Sequence, residues 1–240
     1  MSAKYTKNAL IPLSLCDNTG KLSVYSIFTL FMDIATEHAD ILKLDSDHLG
    51  ENLFWVTVRT KVKVIRRPKL SSEVTLSTWP EKPSRVRANR HYLISDENGA
   101  MIKGKSEWTV VNTETGKLSR VGEIYGEDFE FCEDIACEGN YAKVKDDFSD
   151  AQVLSQYTIN STDIDLVQHM NNAAYIRAFL GAFSTEDLEK SEIKEIDIAY
   201  KAQSYEGETL TIKYKCEEDA VIYAMVKPDG TTAATLRVVR

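Results

Sequence analysis

The sequence predicts an α+β fold of two units, each an amphipathic helix followed by a run of antiparallel strands. Three observations carry this expectation. Apolar residues recur at helical spacing over residues 25–42 and again over 172–183. Each helical stretch is followed by short segments in which apolar and polar residues alternate, the period of a half-buried strand. Tight turn signals, Asp96-Glu97-Asn98-Gly99 and Pro228-Asp229-Gly230, join neighbouring segments directly, and only antiparallel strands accept so short a connection.

In the first half, Ile27, Leu30, Phe31, Ile34, His38 and Ile41 form one stripe of a helix, and the polar run 45–50 ends it. Residues 54–64 alternate, with Val56, Val58, Val62 and Val64 on one face and Thr57, Arg59, Lys61 and Lys63 on the other. Arg67-Pro68 breaks that strand, because proline has no N–H to give a ladder. Strands are expected over 73–79, 85–95 and 100–112. Residues 123–150 hold ten acids against Lys143 and Lys145, with little apolar period. In the second half, a strand over 154–160 leads into a polar cluster and then the short apolar helix over 172–183. Residues 185–195 read as an acidic surface segment. Strands follow over 196–200, 209–216, 221–227 and 233–239. The expected organisation is a first unit over 1–128, an acidic linker over 129–150 and a second unit over 151–240. A helix of about four turns wrapped by an antiparallel sheet, repeated in one chain, is the plan of a double hot-dog fold. A lone sheet of this kind leaves a face and an edge uncovered, so such units pair. The duplication lies in the architecture; the two halves share little sequence.

The composition excludes several classes. No apolar stretch approaches a membrane span, and the first residues lack the apolar core of a signal peptide. Four scattered cysteines, Cys16, Cys132, Cys137 and Cys216, suggest neither a zinc site nor a disulfide framework, and fit a reducing cytoplasm. No metal or cofactor is expected. The net charge is −8, yet residues 59–90 carry ten Lys or Arg against Glu73 and Glu81, a local +8. That segment is either a solvated strand face or a docking patch for an acidic partner. Nucleic acid is a poor fit to an acidic chain whose basic segment lacks interleaved aromatics.

The chemistry concentrates in residues 163–175. Asp163, Asp165, His169, Asn171 and Asn172 fall just ahead of an apolar helix. A carboxylate beside an imidazole can activate water or an attacking group. Asn171 and Asn172 are suited to cap the helix, whose free N–H groups can hold a developing oxyanion. The bland readings stand beside these: Asp165 as a turn residue, His169 as a packed or capping histidine. His38 lies on the apolar stripe and reads as a core or interface histidine, or as a contact to substrate.

Over nearly its whole length the chain resembles the acyl-ACP thioesterases, bacterial relatives of the plant fatty-acyl-ACP hydrolases. The resemblance rests on Ile34 to His38, Trp55 with Arg59, Arg66-Arg67-Pro68, Thr78-Trp79-Pro80, Ser106 with Trp108, Thr115 to Val121, Asp163 to Tyr175, and Tyr200 to Gln203. It implies hydrolysis of the thioester between a fatty acyl chain and acyl carrier protein (ACP), an acidic partner. It further implies Asp165 and His169 as catalytic residues, with Asp165 either orienting His169 or itself attacking the carbonyl. Asn171 and Asn172 would serve substrate and oxyanion, and Arg59, Arg66, Arg67 and Lys69 would dock ACP. The sequence departs from the family pattern twice. Val167 stands where the pattern has Asn, and Gln203 stands where it has Glu. Gln203 can position water but cannot act as a base at neutral pH. Two other readings therefore remain: a catalytically weakened acyl-ACP or acyl-CoA binding protein, and an acyl-CoA thioesterase. The sequence leaves homodimer formation open.

Overall fold

The alternating segments of the first half pair into one antiparallel sheet against a single long helix. This is a computed structural model that describes residues 3–45, 47–122, 124–126 and 128–240. Two compact units divide the chain, Met1–Gly139 and Asn140–Arg240.

In the first unit, β1 (Tyr5–Leu10), β2 (Leu53–Val64), β3 (Glu73–Pro80), β4 (Ala88–Asp96) and β5 (Gly99–Asn112) run in the order β1-β3-β4-β5-β2, each pair antiparallel. The β4–β5 hairpin turns where Asp96-Glu97-Asn98-Gly99 predicts it. The Asp96 carboxylate accepts the Asn98 N–H at 2.8 Å, and Gly99 takes φ 100°. β4 starts at Ala88 rather than 85, because Ser84 and Arg87 close a turn on each other through both backbone and hydroxyl. Strand β1 is absent from the sequence expectation: it is a short edge strand whose residues alternate between half-buried and exposed, a weak period-2 signal with one β-branched residue.

Helix α1 (Val24–Leu42) starts at Ser23, whose hydroxyl accepts the Ser26 N–H, and stops at Lys43 in the left-handed conformation. Its buried face is Ser26, Ile27, Phe28, Phe31, Ile34, Ala35 and His38; of the stripe read from the sequence, Ile27, Phe31, Ile34 and His38 are buried, Leu30 is half-buried, and Ile41, in the last turn, is exposed. Phe31 stacks on Tyr92 of β4 at 4.4 Å and fills the space over Gly104 of β5, where a Cβ would fall 2.1 Å from its ring. Burying such a side chain stabilises by about 2–3 kcal/mol, and here glycine is what allows the approach. His38 is 1% exposed; the Arg90 guanidinium lies 3.0 Å from its Nδ1 and Tyr5 stacks on its ring. It is a core histidine of this unit.

The second unit repeats the plan. β6 (Gln152–Thr158), β7 (Glu195–Tyr200), β8 (Thr209–Cys216), β9 (Val221–Val226) and β10 (Thr232–Val239) run in the order β7-β10-β9-β8-β6, all antiparallel. Helix α2 (Asn172–Leu180) buries Ala173, Ala174, Tyr175, Ile176, Ala178 and Phe179. Phe179 meets Tyr223 of β9 edge-on at 4.7 Å. The segment expected to be acidic surface contains a short helix, α3 (Thr185–Lys190), which Ser184 and Asp187 nucleate as a reciprocal capping box. No described helix is long and apolar enough to cross a membrane.

Candidate active site

The two carboxylates of the polar cluster have different jobs. Beyond β6, Ser161–Asp163 forms a single 3-10 turn. Asp163 is 1% exposed. Its carboxylate accepts the Tyr157 hydroxyl at 2.7 Å and the Asn160 N–H at 2.9 Å, and pairs with Arg177 of α2. Burial pushes this carboxyl up, but the Asn160 N–H, Tyr157 and Arg177 together outweigh it and hold it below the ordinary carboxylate range. Asp163 therefore ties the loop to the helix.

Asp165 shapes the next turn. Its N–H donates to the His169 carbonyl at 2.9 Å and its carbonyl accepts the Gln168 N–H at 3.0 Å. One carboxylate oxygen accepts the Val167 N–H at 3.0 Å and the His169 N–H at 3.3 Å. Gln168 adopts φ 63° to close the turn. Ile164 and Met170 then bridge. The far end is fastened twice: Met170 N–H to the Ser204 carbonyl and Asn171 N–H to the Asp163 carbonyl, both 2.8 Å. Asn171 is the N-cap of α2, accepting the Ala173 N–H at 2.8 Å with its side chain and the Ala174 N–H at 2.9 Å with its carbonyl. The Asn172 N–H has no acceptor among the described residues and remains available to a ligand.

The half-buried His169 ring meets the Tyr205 ring edge-on at 5.2 Å, and the Tyr205 hydroxyl donates to Oε1 of Gln203 at 3.1 Å. Tyr205 is itself held by Glu208, which accepts its N–H at 2.9 Å. Lys227 spans the group, with Nζ 2.9 Å from the Gln203 carbonyl, 3.0 Å from Glu208 and 5.4 Å from the Tyr205 ring centre. Burial pushes the Tyr175 phenol up, with the Glu208 and Asp165 carboxylates adding to the shift against the Ser204 hydroxyl. Tyr200 donates to the Asn172 carbonyl at 3.2 Å.

Asp165, His169, Asn171, Asn172 and Gln203 thus share one neighbourhood of the second unit. Asp165 meets His169 through its backbone N–H; among the described residues no hydrogen bond joins the carboxylate to the imidazole. Sequence reasoning missed Tyr205, Arg177 and the Lys227–Glu208 pair. Their only signal was an aromatic residue inside the otherwise polar run 203–208.

The expected docking residues lie in the first unit and are unequal. Arg66 holds Asp96 with both terminal nitrogens, one at 2.8 Å. Arg67 pairs with Asp17 and donates to the Leu22 carbonyl at 3.2 Å. Arg59 is half-buried and partnered, whereas Lys69 is exposed.

The first unit contains the same turn as the site. Asp17 N–H donates to the Lys21 carbonyl at 2.8 Å, and the Gly20 N–H to the Asp17 carbonyl at 3.0 Å. The Asp17 carboxylate accepts the Thr19 and Lys21 N–H groups at 2.9 and 3.4 Å. Gly20 takes φ 69°. Cys16 and Leu22 bridge, Leu22 N–H reaches the Pro68 carbonyl at 2.8 Å, and Ser23 N–H the Leu15 carbonyl at 2.9 Å. Every bond matches one around Asp165, with Lys21 where His169 stands, Gly20 for Gln168 and Ser23 for Asn171.

Among the described residues no cluster of three His, Cys, Asp or Glu is placed to hold a metal ion. Two family models match the chain: the acyl-ACP thioesterase N-terminal domain over residues 2–128 and the acyl-ACP thioesterase C-terminal domain over residues 147–234. Among curated proteins it is 24% identical over 235 residues to a chloroplastic oleoyl-acyl carrier protein thioesterase of Coriandrum sativum, an alignment covering 89% of this chain and 60% of that protein. A second such thioesterase, from Arabidopsis thaliana, is 23% identical over 90% of this chain and 64% of its own length. The chain thus spans less than two thirds of these relatives. Among solved structures, an acyl-ACP thioesterase of Bacteroides thetaiotaomicron superposes with TM-score 0.84 at 22% identity, covering 100% of this chain and 99% of that one. The 12:0-ACP thioesterase of Umbellularia californica also gives 0.84, at 18% identity, covering 100% and 97%. These likenesses show the fold, an α+β double hot-dog.

Proposed function

The chain belongs to the acyl-ACP thioesterase family, and from that premise we propose that it hydrolyses the thioester of a fatty acyl-ACP, releasing the fatty acid and ACP. The observation that carries this reading is the fastened turn that presents Asp165 and His169 beside the uncommitted Asn172 N–H. In the proposed step, the His169 imidazole takes a proton from water and the water oxygen bonds to the acyl carbon. The Asn172 N–H receives the oxyanion, a donation typically worth about 3 kcal/mol in the transition state. The carbon–sulfur bond then breaks, and the imidazolium returns its proton to the departing thiolate. Asp165 has one oxygen engaged by the turn and uses its carboxylate to favour the imidazolium. A single turnover in oxygen-18 water labels the released acid by this route; label found in the Asp165 carboxylate would replace it with attack by Asp165.

The test of function is a hydrolysis panel over acyl-ACPs and matched acyl-CoAs of several chain lengths, run beside Asp165→Ala. Acid release from acyl-ACP that Asp165→Ala abolishes supports the reading, and no release from any acyl-ACP overturns it. Faster turnover of the CoA esters favours an acyl-CoA thioesterase. The acidic partner is supported by the exposed Lys69 and the half-buried Arg59, with Arg66 and Arg67 contributing less because Asp96 and Asp17 already answer them. Free thiols at Cys16, Cys132, Cys137 and Cys216 support a reducing, cytoplasmic setting.

Val167 and Gln203 favour a second reading, an acyl-ACP or acyl-CoA binding protein with weakened catalysis. It expects tight ligand binding, negligible turnover and rescue by Val167→Asn combined with Gln203→Glu.

A further inference from the structure

Gln203 raises a chemical question that its neighbours answer. A carboxamide offers one oxygen that accepts and one NH2 that donates. The Tyr205 hydroxyl donates to the side-chain oxygen of Gln203 at 3.1 Å, and the amide NH2 keeps its capacity to donate. Tyr205 is 44% exposed, yet it is not a loose surface side chain. Glu208 holds its N–H, the Lys227 ammonium lies over its ring, and its ring edge meets His169 at 5.2 Å. Lys227 also donates to the main-chain carbonyl of Gln203 at 2.9 Å, so the cation that lies over the phenol ring also holds the backbone from which the amide projects.

We propose that Tyr205 is a positioning residue of the active site: its ring sets the His169 imidazole, and its hydroxyl orients Gln203 so that the amide donates to the thioester oxygen. This deepens the thioesterase reading and rests on it. On this account Gln203 is a donor to the substrate, not a poor substitute for a base. Gln203→Glu alone then removes the donor and lowers turnover, the opposite of the rescue that a lost base would predict.

The experiment compares Tyr205→Phe, Tyr205→Leu, Gln203→Ala and the Tyr205→Phe/Gln203→Ala pair, with acyl-ACP kinetics and NMR on each. Tyr205→Phe keeps the ring and loses one hydrogen bond, so kcat is expected to fall about three- to tenfold at nearly constant KM. Adding Gln203→Ala to it costs little more than Gln203→Ala alone, because the two act as one device. The Gln203 side-chain amide resonances move in Tyr205→Phe, and the His169 ring-proton resonances move in Tyr205→Leu but stay in Tyr205→Phe. Additive kinetic losses, or a KM change without a kcat change, overturn the proposal. So do Gln203 and His169 resonances that ignore both substitutions. The NMR arm needs no turnover: an inactive wild type with the expected resonance shifts would refute the thioesterase reading while leaving the Tyr205 contacts standing.

Discussion

The turn at Asp17–Lys21 and the turn at Asp165–His169 are the same backbone object in different side-chain surroundings. Both wrap an aspartate whose carboxylate holds two N–H groups, both precede a capped helix, and both are fastened to a carbonyl on a distant segment. In the first, Arg67 closes on Asp17, and Lys21 occupies the position at which the second turn has His169. In the second, among the described residues, no arginine or lysine pairs with the second oxygen of Asp165 or with the imidazole of His169. The scaffold supplies the same geometry to both units, and the proposed chemistry falls to the turn whose aspartate no arginine closes on. An aspartate paired with an arginine is stabilised as a structural anion; one held by backbone alone can still act on a substrate.

Four measurements break or sharpen this contrast. The largest effect is expected from His169→Lys, which installs the first turn's residue in the second. Loss of the imidazole should cut kcat/KM by about 10²- to 10⁴-fold while the unfolding midpoint in urea barely changes; retained turnover would mean that the two turns do not differ in the way described. Next, Asp17→Ala and Asp165→Ala should separate cleanly. Asp17→Ala should cost about 1–3 kcal/mol of stability, from stranded turn donors and an unanswered Arg67, with turnover intact; Asp165→Ala should mainly abolish turnover. Equal catalytic losses would end the distinction.

Acid should act on the structural carboxylates. Asp163 and Asp17 are both held below the ordinary carboxylate range: burial raises each, while hydrogen bonds and an arginine, with Thr19 foremost at Asp17, outweigh it. A carboxyl depressed in the folded state contributes stability that is complete above its unfolded value and disappears as pH falls through its folded value. Urea midpoints should therefore hold above about pH 5 and drop steadily below about pH 4, with a shallower drop in Asp163→Asn. The smallest effect belongs to Gln168→Gly. Gln168 bears φ 63° where its counterpart is Gly20 at φ 69°, and relieving the left-handed cost should raise stability by about 0.5–1 kcal/mol. A loss of stability would show that the Gln168 side chain makes a compensating contact.

Much of this was legible in the sequence, for physical reasons. The stripe Ile27, Phe31, Ile34, His38 and the Asp96–Gly99 turn are local patterns with one conformational solution, and the structure has both. The family resemblance, drawn from residues spread over both halves, agrees with the two matching family models. The twin turns were not legible, because their bonds run almost wholly through the backbone. Asp17-Asn18-Thr19-Gly20-Lys21 and Asp165-Leu166-Val167-Gln168-His169 share only the aspartate. Tyr205 was hidden because its distant partners come from elsewhere in the chain: His169 from ahead of α2, and Lys227 only after the chain has turned through β8 and β9.

The glycine of one turn and the glutamine of the other carry a consequence for how this fold can change. A connection specified by four main-chain hydrogen bonds and two more to a single aspartate carboxylate leaves its remaining side chains free to drift without unmaking the structure. The first turn carries a lysine where the second carries an imidazole. An engineer can treat residues 18–21 as a socket: new side chains inserted there inherit a working loop geometry, next to the start of a 19-residue helix, without any redesign of the backbone.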